Sequence, residues 1–364
     1  MTTSAMNLRV ETYREVGDLP EPVLAALEHA ETSDIEQGWA WLNNLIHSVY
    51  ASDPGVAFHV LYGGHEVLAV LPTRLADDGQ VWSLGNFYTS LYQPYLAAGL
   101  SAQSLACLLA GIRDIHGTIS AMRFAPMDVD GRCYQLLLAA SRQAGLIAFP
   151  FFCFGNWHLP VEADWSSYFA GRSSQIRNSV KRKSRDFQQA GGVLEIISDP
   201  ARVEFGIGAY EAVYAASWKV PEPYPEFVPS LIRMLAARRW LRLGVATLGG
   251  QPIAAQIWIV AHGRASIFKL AYHEEFKRYS AGTLLTAALM AQAIDADGVK
   301  EVDYLIGDDP YKASWMTKRR ERWGIIAYNP RSLRGAGRAL REYLGRAVKP
   351  ILERVRGKAA HHAN

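Results

Sequence analysis

Little in this sequence is suited to covalent staples or metals. There are three cysteines, Cys107, Cys133 and Cys153, odd in number and 20 or more residues apart, with no CxxC pair. That pattern argues against a disulfide framework or a zinc knuckle and fits a reducing cytoplasm. The ten histidines form no HxH or HxxxH pair apart from the adjacent His361 and His362, so no metal is expected. Also missing are a GxxxxGK[ST] loop, a GxSxG elbow and a GxGxxG after a strand; Gly335-Ala336-Gly337 comes nearest and lacks the third glycine. These absences disfavour an NTPase, a serine hydrolase and a dinucleotide oxidoreductase. Long apolar runs are scarce too. Met1 to Val16 holds no leader-like apolar stretch, and the longest run, Leu146 to Phe154, is broken by Pro150 and falls far short of the ~20 residues of a spanning helix. A cytoplasmic protein is expected, soluble or at most peripheral to the inner membrane.

What is present suffices for a large core. With 364 residues, 49% hydrophobic and 20% charged, the chain has the length of two domains. A formal charge of +3, from 38 Lys and Arg against 35 Asp and Glu, does not suggest a chain devoted to coating nucleic acid. The charge is segregated, however. Residues 172–185 carry six bases and no acid, and residues 331–358 carry nine bases against Glu342 and Glu353, so the rest of the chain is net acidic.

The chain also repeats itself. A strand, Gly63-Gly64, strand pattern recurs as strand, Gly249-Gly250, strand at an offset of 186 residues. Gly-Gly supplies the positive φ of a two-residue hairpin, and β-branched alternating flanks suit a half-buried pleat. Each copy continues through a turn, a strand and a loop to an apolar helix, Gln103 to Ile115 and Gly282 to Asp295, then a glycine and a strand, Ile119 to Phe124 and Glu301 to Ile306. This predicts a duplicated α/β domain with antiparallel hairpins and a helical crossover. The first copy spans 1–158 and the second 159–330, followed by a basic segment, 331–364. The second copy opens with a helix from Gln175 to about Ala190, capped by Ser173 or Ser174; a loop is expected over Pro221 to Pro229, which holds four prolines.

The most informative stretch is 267–323. A strand, Ile267 to Tyr272, runs into a polar loop with Lys277, Arg278 and Ser280, which enters a helix at Ala281, Gly282 and Thr283. With Ser280 as N-cap and small residues behind it, the first-turn amides, the helix dipole and the neighbouring bases suit a phosphate or pyrophosphate. An ordinary capped helix with solvated bases has the same composition.

This pattern resembles the acyl-CoA-binding core of the GNAT superfamily, whose phosphate loop reads [QR]-x-x-G-x-[GA]; here it is Lys277-x-x-Ser280-x-Gly282, departing at the first and fourth positions. The run Asp303-Tyr304-x-x-Gly307-Asp308-x-x-Tyr311-Lys312-x-x-Trp315 looks like the signature of the CelD-like acetyltransferases linked to cellulose biosynthesis, and the basic helix around Arg177 and Lys181 is similar to one in that branch. The helix ending at Trp218 before the proline loop also fits. The likeness covers about 160–328, and its tandem plan is shared with the FemAB aminoacyltransferases.

The resemblance implies tandem GNAT-like α/β domains, each a mixed, mostly antiparallel sheet flanked by helices. It implies an acyltransferase that takes an acyl group, expected to be acetyl, from acetyl-CoA or another acyl-CoA, without a metal, to an amine or hydroxyl of a sugar, an envelope polysaccharide precursor or a small metabolite. The donor would lie against Lys269, Leu270, Ala271 and Tyr272, one of whose amides serves the oxyanion, and against Lys277, Arg278, Ser280, Ala281, Gly282 and Thr283. Asp303, Asp308 and Asp309 stand at or beyond the end of the last crossover strand, where α/β sites open. Asp308 is expected to orient the acceptor or remove its proton, Tyr311 to protonate a departing thiolate, and Lys312 to bind phosphate or steady negative charge; Gly307 to Pro310 also has the composition of a plain turn. Arg177 and Lys181, one helical turn apart, with Trp218, Asp309 and Trp315, are candidates for the acceptor side. Two other readings remain: aminoacyl transfer from tRNA, and a non-catalytic module of exopolysaccharide assembly. In the tail, Leu333, Leu340, Leu344, Val348, Ile351 and Val355 recur at helical spacing among bases, which suits either packing on the body or an anionic membrane surface.

Overall fold

The structure is a computed structural model that describes residues 7–117 and 119–361, with side chains described to Val348. The side chains of Lys349, Ile351, Arg354, Val355, Arg356 and Lys358 therefore lie outside the described residues. The first half of the chain forms β1 (Leu8–Tyr13), α1 (Glu21–Glu31), α2 (Trp39–Val49), β2 (Val56–Gly63), β3 (Glu66–Leu75), β4 (Gln80–Ser83), β5 (Tyr95–Leu96), α3 (Ala102–Ile115), β6 (Ala121–Asp128), α4 (Arg132–Gln143) and β7 (Ile147–Pro160). Then follow α5 (Trp165–Ala170), α6 (Ser174–Gln189), β8 (Gly192–Ile197), α7 (Val203–Ala215), α8 (Phe227–Ala237), β9 (Leu241–Leu248), β10 (Gln251–Ala261) and β11 (Arg264–Tyr272). The chain closes with α9 (Ala281–Ala291), β12 (Glu301–Asp303), α10 (Pro310–Trp315), β13 (Lys318–Tyr328) and α11 (Leu333–His361).

Two compact units emerge, one from residues up to His29, Ser52–Cys153 and Arg322 onward, the other from Ala30–Ala51 and Phe154–Glu321. Within the first the strand order is β1-β2-β3-β4-β6-β13, antiparallel except for the β4/β6 pair. Within the second it is β8-β9-β10-β11-β12-β7, antiparallel except for β11/β12. Order and sense coincide, and in each unit a helix, α3 or α9, makes the crossover that a parallel pair requires. The duplicated mixed α/β plan thus stands in the backbone. The units do not follow the copies, though. Each takes its sixth strand from the chain end of the other copy, the part of β13 from Arg322 on in the first unit and the part of β7 from Phe154 on in the second. Residues 30–51 go with the second unit because Trp41 packs edge-on against Phe227 and Phe268, at 5.7 and 6.0 Å between ring centroids.

The two hairpins differ in detail. Gly249 and Gly250 form the β9–β10 turn, both at positive φ (57° and 83°), as the sequence predicts. In the first hairpin Gly63 closes β2 opposite Glu66, and the turn is Gly64-His65, with Gly64 at φ 63°. The proline stretch is shorter as a loop than expected, since α8 starts at Phe227 and takes in Pro229. Its missing N–H falls in the first turn, where no intrahelical partner exists anyway.

In the second unit α6 and α9 share one layer. Ser173 caps α6, its hydroxyl accepting the Ile176 amide at 3.3 Å. Phe187 and Val180 of α6 pack with Leu284 and Leu285 of α9. Full burial of Phe187 contributes roughly 2 kcal/mol. That packing leaves Arg177, Lys181, Arg182 and Arg185 on the exposed side.

Candidate active site

The site arises from a strand that outruns its partner. β11 pairs with β10 along its length, but with β12 only from Arg264 to Ser266, opposite Glu301 to Asp303. Beyond that point β11 has no parallel partner among the described residues, and its Ile267–Tyr272 edge opens toward the start of α9. A bulge at Phe268, where the register steps from Ile257/Lys269 to Trp258/Ile267, re-aims the strand. Phe268 turns onto Trp41 and Phe227, while Lys269 faces Tyr214 and Glu222.

The loop after β11 delivers α9 in an unexpected way. Ser280 is no side-chain cap. It sits in the left-handed region at φ 53°, and its carbonyl accepts the amides of Thr283 and Leu284 at 2.9 and 3.2 Å. The amides of Ala281 and Gly282 have no recorded partner among the described residues. A Cβ on Gly282 would meet nothing closer than Tyr272 Cδ1 at 3.9 Å, so the first turn faces open space. That space is a cavity of about 400 Å³ lined by Leu270, Ala271 and Tyr272 of β11, by Phe276 and Lys277 of the loop, by Ser280 to Thr283, and by Trp218, Ile253, Gln256 and Tyr311. Trp218 lies on Tyr272, ring centroids 4.5 Å apart.

The floor is a buried polar chain. Trp258 Nε1 donates to Gln256 Oε1 at 3.0 Å, and Gln256 Nε2 donates to Gly282 O at 2.7 Å and Thr286 Oγ1 at 2.9 Å. Thr286 Oγ1 lies 3.1 Å from Gly282 O and 3.3 Å from the Tyr311 hydroxyl. Gln256 and Thr286 are buried, so the chain is fixed, whereas Tyr311 is 42% exposed. One side chain therefore joins a buried network to the cavity.

Of the predicted residues, β11, the α9 entry, Lys277, Trp218 and Tyr311 come together. Others do not. Asp303 is buried and takes hydrogen bonds from Asn156 Nδ2 at 2.6 Å, the Leu305 amide at 2.7 Å and Arg320 Nη2 at 2.5 Å. Burial pushes its pKa up, but Arg320, Asn156 and Arg264 outweigh that and hold it below the usual carboxylate value. These bonds tie β12 to β7 and β13. Asp308 is exposed and forked by Arg319, whose hydrogen bonds hold its carboxyl below the usual range and make it a weak base, and it is not among the residues that line the cavity. The ammonium of Lys312 is spent on the carbonyls of Tyr304 and Ile306, stapling the chain after β12. Asp309 lies 3.8 Å from it on the surface. Trp315 is buried in the core with Met290 and Tyr304. Arg278 lies over its neighbour Tyr279, and Arg177 Nε donates to Arg172 O at 3.1 Å.

Sequence reasoning named Lys269 and Trp218 but passed over the groups around them, Glu222, Tyr214 and Lys219. Lys269 Nζ pairs with Glu222 Oε1 at 2.5 Å, and Lys219 lies 5.7 Å from the ring centroids of both Tyr214 and Trp218. Burial, with Lys269 nearby, lowers the Lys219 pKa to about 8, despite Glu222. Burial and Glu222 raise that of Tyr214 to about 12. Gln256 left a signal, a lone amide in the apolar run Ile253 to Val260; Lys219, just ahead of the proline loop, left none.

Comparison with known proteins bears on this geometry. Residues 174–313 match the acetyltransferase (GNAT) domain family. The GNAT segment thus runs from α6 to α10 and contains the entire cavity lining. No curated protein matches the sequence. Among solved structures, the C-terminal domain of a putative lysylphosphatidylglycerol synthetase from Agrobacterium fabrum superposes with a TM-score of 0.55 at 14% identity, covering 89% of this chain and 95% of its own. FemX gives 0.56 at 11%, covering 87% and 97%. L-PGS from Bacillus licheniformis gives 0.50 at 11%, covering 82% and 95%. At such identities the likeness establishes the fold alone, a mixed α/β GNAT-like one.

Proposed function

We propose that the protein transfers an acyl group, acetyl in the simplest case, from acyl-CoA to an amine or hydroxyl of a glycan precursor or small metabolite. One observation carries this: the open edge of β11 and the unpartnered first-turn amides of α9 line the same cavity. The α9 amides at Ala281 and Gly282, with the positive end of the helix dipole and Lys277 at the rim, suit a diphosphate. The β11 edge offers backbone groups alongside which an amide-containing arm can lie. Acyl-CoA supplies a thioester carbonyl open to nucleophiles. Around it the chain's part is to orient and to move protons. As the acceptor's nitrogen or oxygen bonds to the carbonyl carbon and the carbon–sulfur bond breaks, an amide of the Lys269 to Tyr272 edge hydrogen-bonds the developing negative charge on the carbonyl oxygen. The Tyr311 hydroxyl gives its proton to the departing sulfur, and the acceptor's proton passes to water, from which Tyr311 is reprotonated. Thr286 Oγ1 remains beside the Tyr311 oxygen to steady it. The acceptor enters from the side of Trp218 and Lys219.

Titration calorimetry with acetyl-CoA, followed by mass analysis of candidate acceptors, tests the reading. Absence of heat with every acyl-CoA tried would overturn it.

A second reading draws on α6, where Arg177, Lys181, Arg182 and Arg185 are exposed and make no ion pair among the described residues. Such a face suits an RNA backbone, as transfer from aminoacyl-tRNA requires. Steep loss of affinity with salt, together with no CoA binding, favours this reading over the first.

A further inference from the structure

Among the described residues of α11, the leucines and Val348 do not pack on the first unit. The helix approaches its sheet through small residues. A Cβ on Gly335 would come within 2.1 Å of Asn329 O, and Ala339 is buried with Ala121 and Tyr328. Arg338 Nη1 reaches Ser120 Oγ at 2.9 Å on the same side. Around a helix that turns about 100° per residue, Leu333, Leu340, Leu344 and Val348 fall in one stripe roughly opposite Gly335, Ala339 and Glu342. They are 95%, 59%, 52% and 45% exposed. Arg334 and Arg341 border that stripe on one flank and make no ion pair among the described residues, while Tyr343, 64% exposed, borders it on the other. Beside the helix, a groove of about 1030 Å³ with Phe151, Phe152 and Trp323 on its walls keeps one flank of α11 clear of the sheet. Leucines that nothing covers cost solubility unless something apolar receives them.

We propose that this outward face docks the protein on an anionic lipid surface, α11 lying in the headgroup plane with its leucines among the acyl chains. The charge names the occupant. Residues 331–358 hold nine bases against two acids, an arrangement that attracts anionic headgroups and repels a second copy of the same helix. No helix among the described residues is long and apolar enough to cross a membrane, so α11 lies on a bilayer rather than through it. The inference is independent of the reaction proposed above.

Flotation of the full chain with vesicles tests it. Vesicles of phosphatidylcholine mixed with phosphatidylglycerol are expected to carry the protein up, and vesicles of phosphatidylcholine alone to leave it behind. Leu340→Ser with Leu344→Ser should weaken binding by about tenfold per leucine. Arg334→Gln with Arg341→Gln should weaken it by about fivefold per arginine, and salt should do the same. All four positions are exposed, so thermal melts should not move. No binding to either vesicle, or equal binding to both, overturns the proposal. So does a dimer in light scattering that the two serine substitutions convert to monomer, because the stripe would then be covered by a second copy.

Discussion

Arg319 grips Asp308 with Nε 3.0 Å from each carboxylate oxygen and Nη2 2.8 Å from Oδ2. The pair lies directly over Gly155 of β7, where a Cβ would come within 2.6 Å of both side chains. The acid that the motif singles out is thus bound to the next strand instead of facing the cavity. Asp308→Asn is expected to leave acetyl-CoA affinity unchanged and to alter kcat by less than about threefold, far from the 10² or more that loss of a general base costs. Steady-state kinetics checks this.

Tyr311 carries the opposite expectation. Tyr311→Phe removes the one hydroxyl joining the cavity to the buried Thr286 and Gln256 network, and should lower kcat by about 10²-fold with little change in the KM for acyl-CoA. Thr286→Val should reproduce part of the loss. If kcat is unaffected by Tyr311→Phe, the proton has another source.

Filling the α9 entry should act on binding instead. Gly282 has room for a small side chain, with Tyr272 at 3.9 Å, so Gly282→Val folds but covers the amides. A thirtyfold weaker Kd for acetyl-CoA, roughly what one or two charge-assisted hydrogen bonds supply, is expected from calorimetry, with an unchanged Tm.

The half-buried ammonium of Lys219 gives a pH signature. Its pKa, about 8 when folded, lies below the ordinary lysine value of 10.5. Between those values the unfolded chain binds more protons than the folded one, so this group makes stability rise with pH from about 8 to about 10.5; below 8 its full penalty applies. Lys219→Met should therefore melt higher than the parent at pH 7, and the gap should close as pH approaches 10. A gap independent of pH would show that Lys219 is solvated.

Asp303 should matter to folding. Asp303→Ala strands Arg320 and Asn156 around an empty position in the interior, where breaking a buried pair costs about 3–5 kcal/mol. Urea unfolding should show that loss, whereas Asp303→Asn should recover part of it.

Legibility in the sequence followed range. Ala281-Gly282 after an apolar strand, and Tyr311 near the last crossover, belong to segments whose local pattern already demands a strand end, a helix start and a turn, so they could be found by inspection. The ion pairs of Asp308 and Asp303 were not legible because their partners, Arg319 and Arg320, stand 11 and 17 residues on, in a strand whose register no local pattern specifies. Ser280 has the composition of a cap, yet the tight turn forced it to a positive φ and replaced its hydroxyl with its carbonyl.

By itself the sequence determined the duplicated element order, the hairpin and helix-entry chemistry, and the segregation of basic segments, since these rest on periodicity, glycine conformations and charge within short windows. Only the tertiary structure decided which sixth strand each unit takes, which carboxylates are neutralised and which face of α11 is left uncovered. Those depend on register and on packing between segments far apart in the chain, where a small residue such as Gly335 or Ala339 sets the contact and sends the leucines the other way.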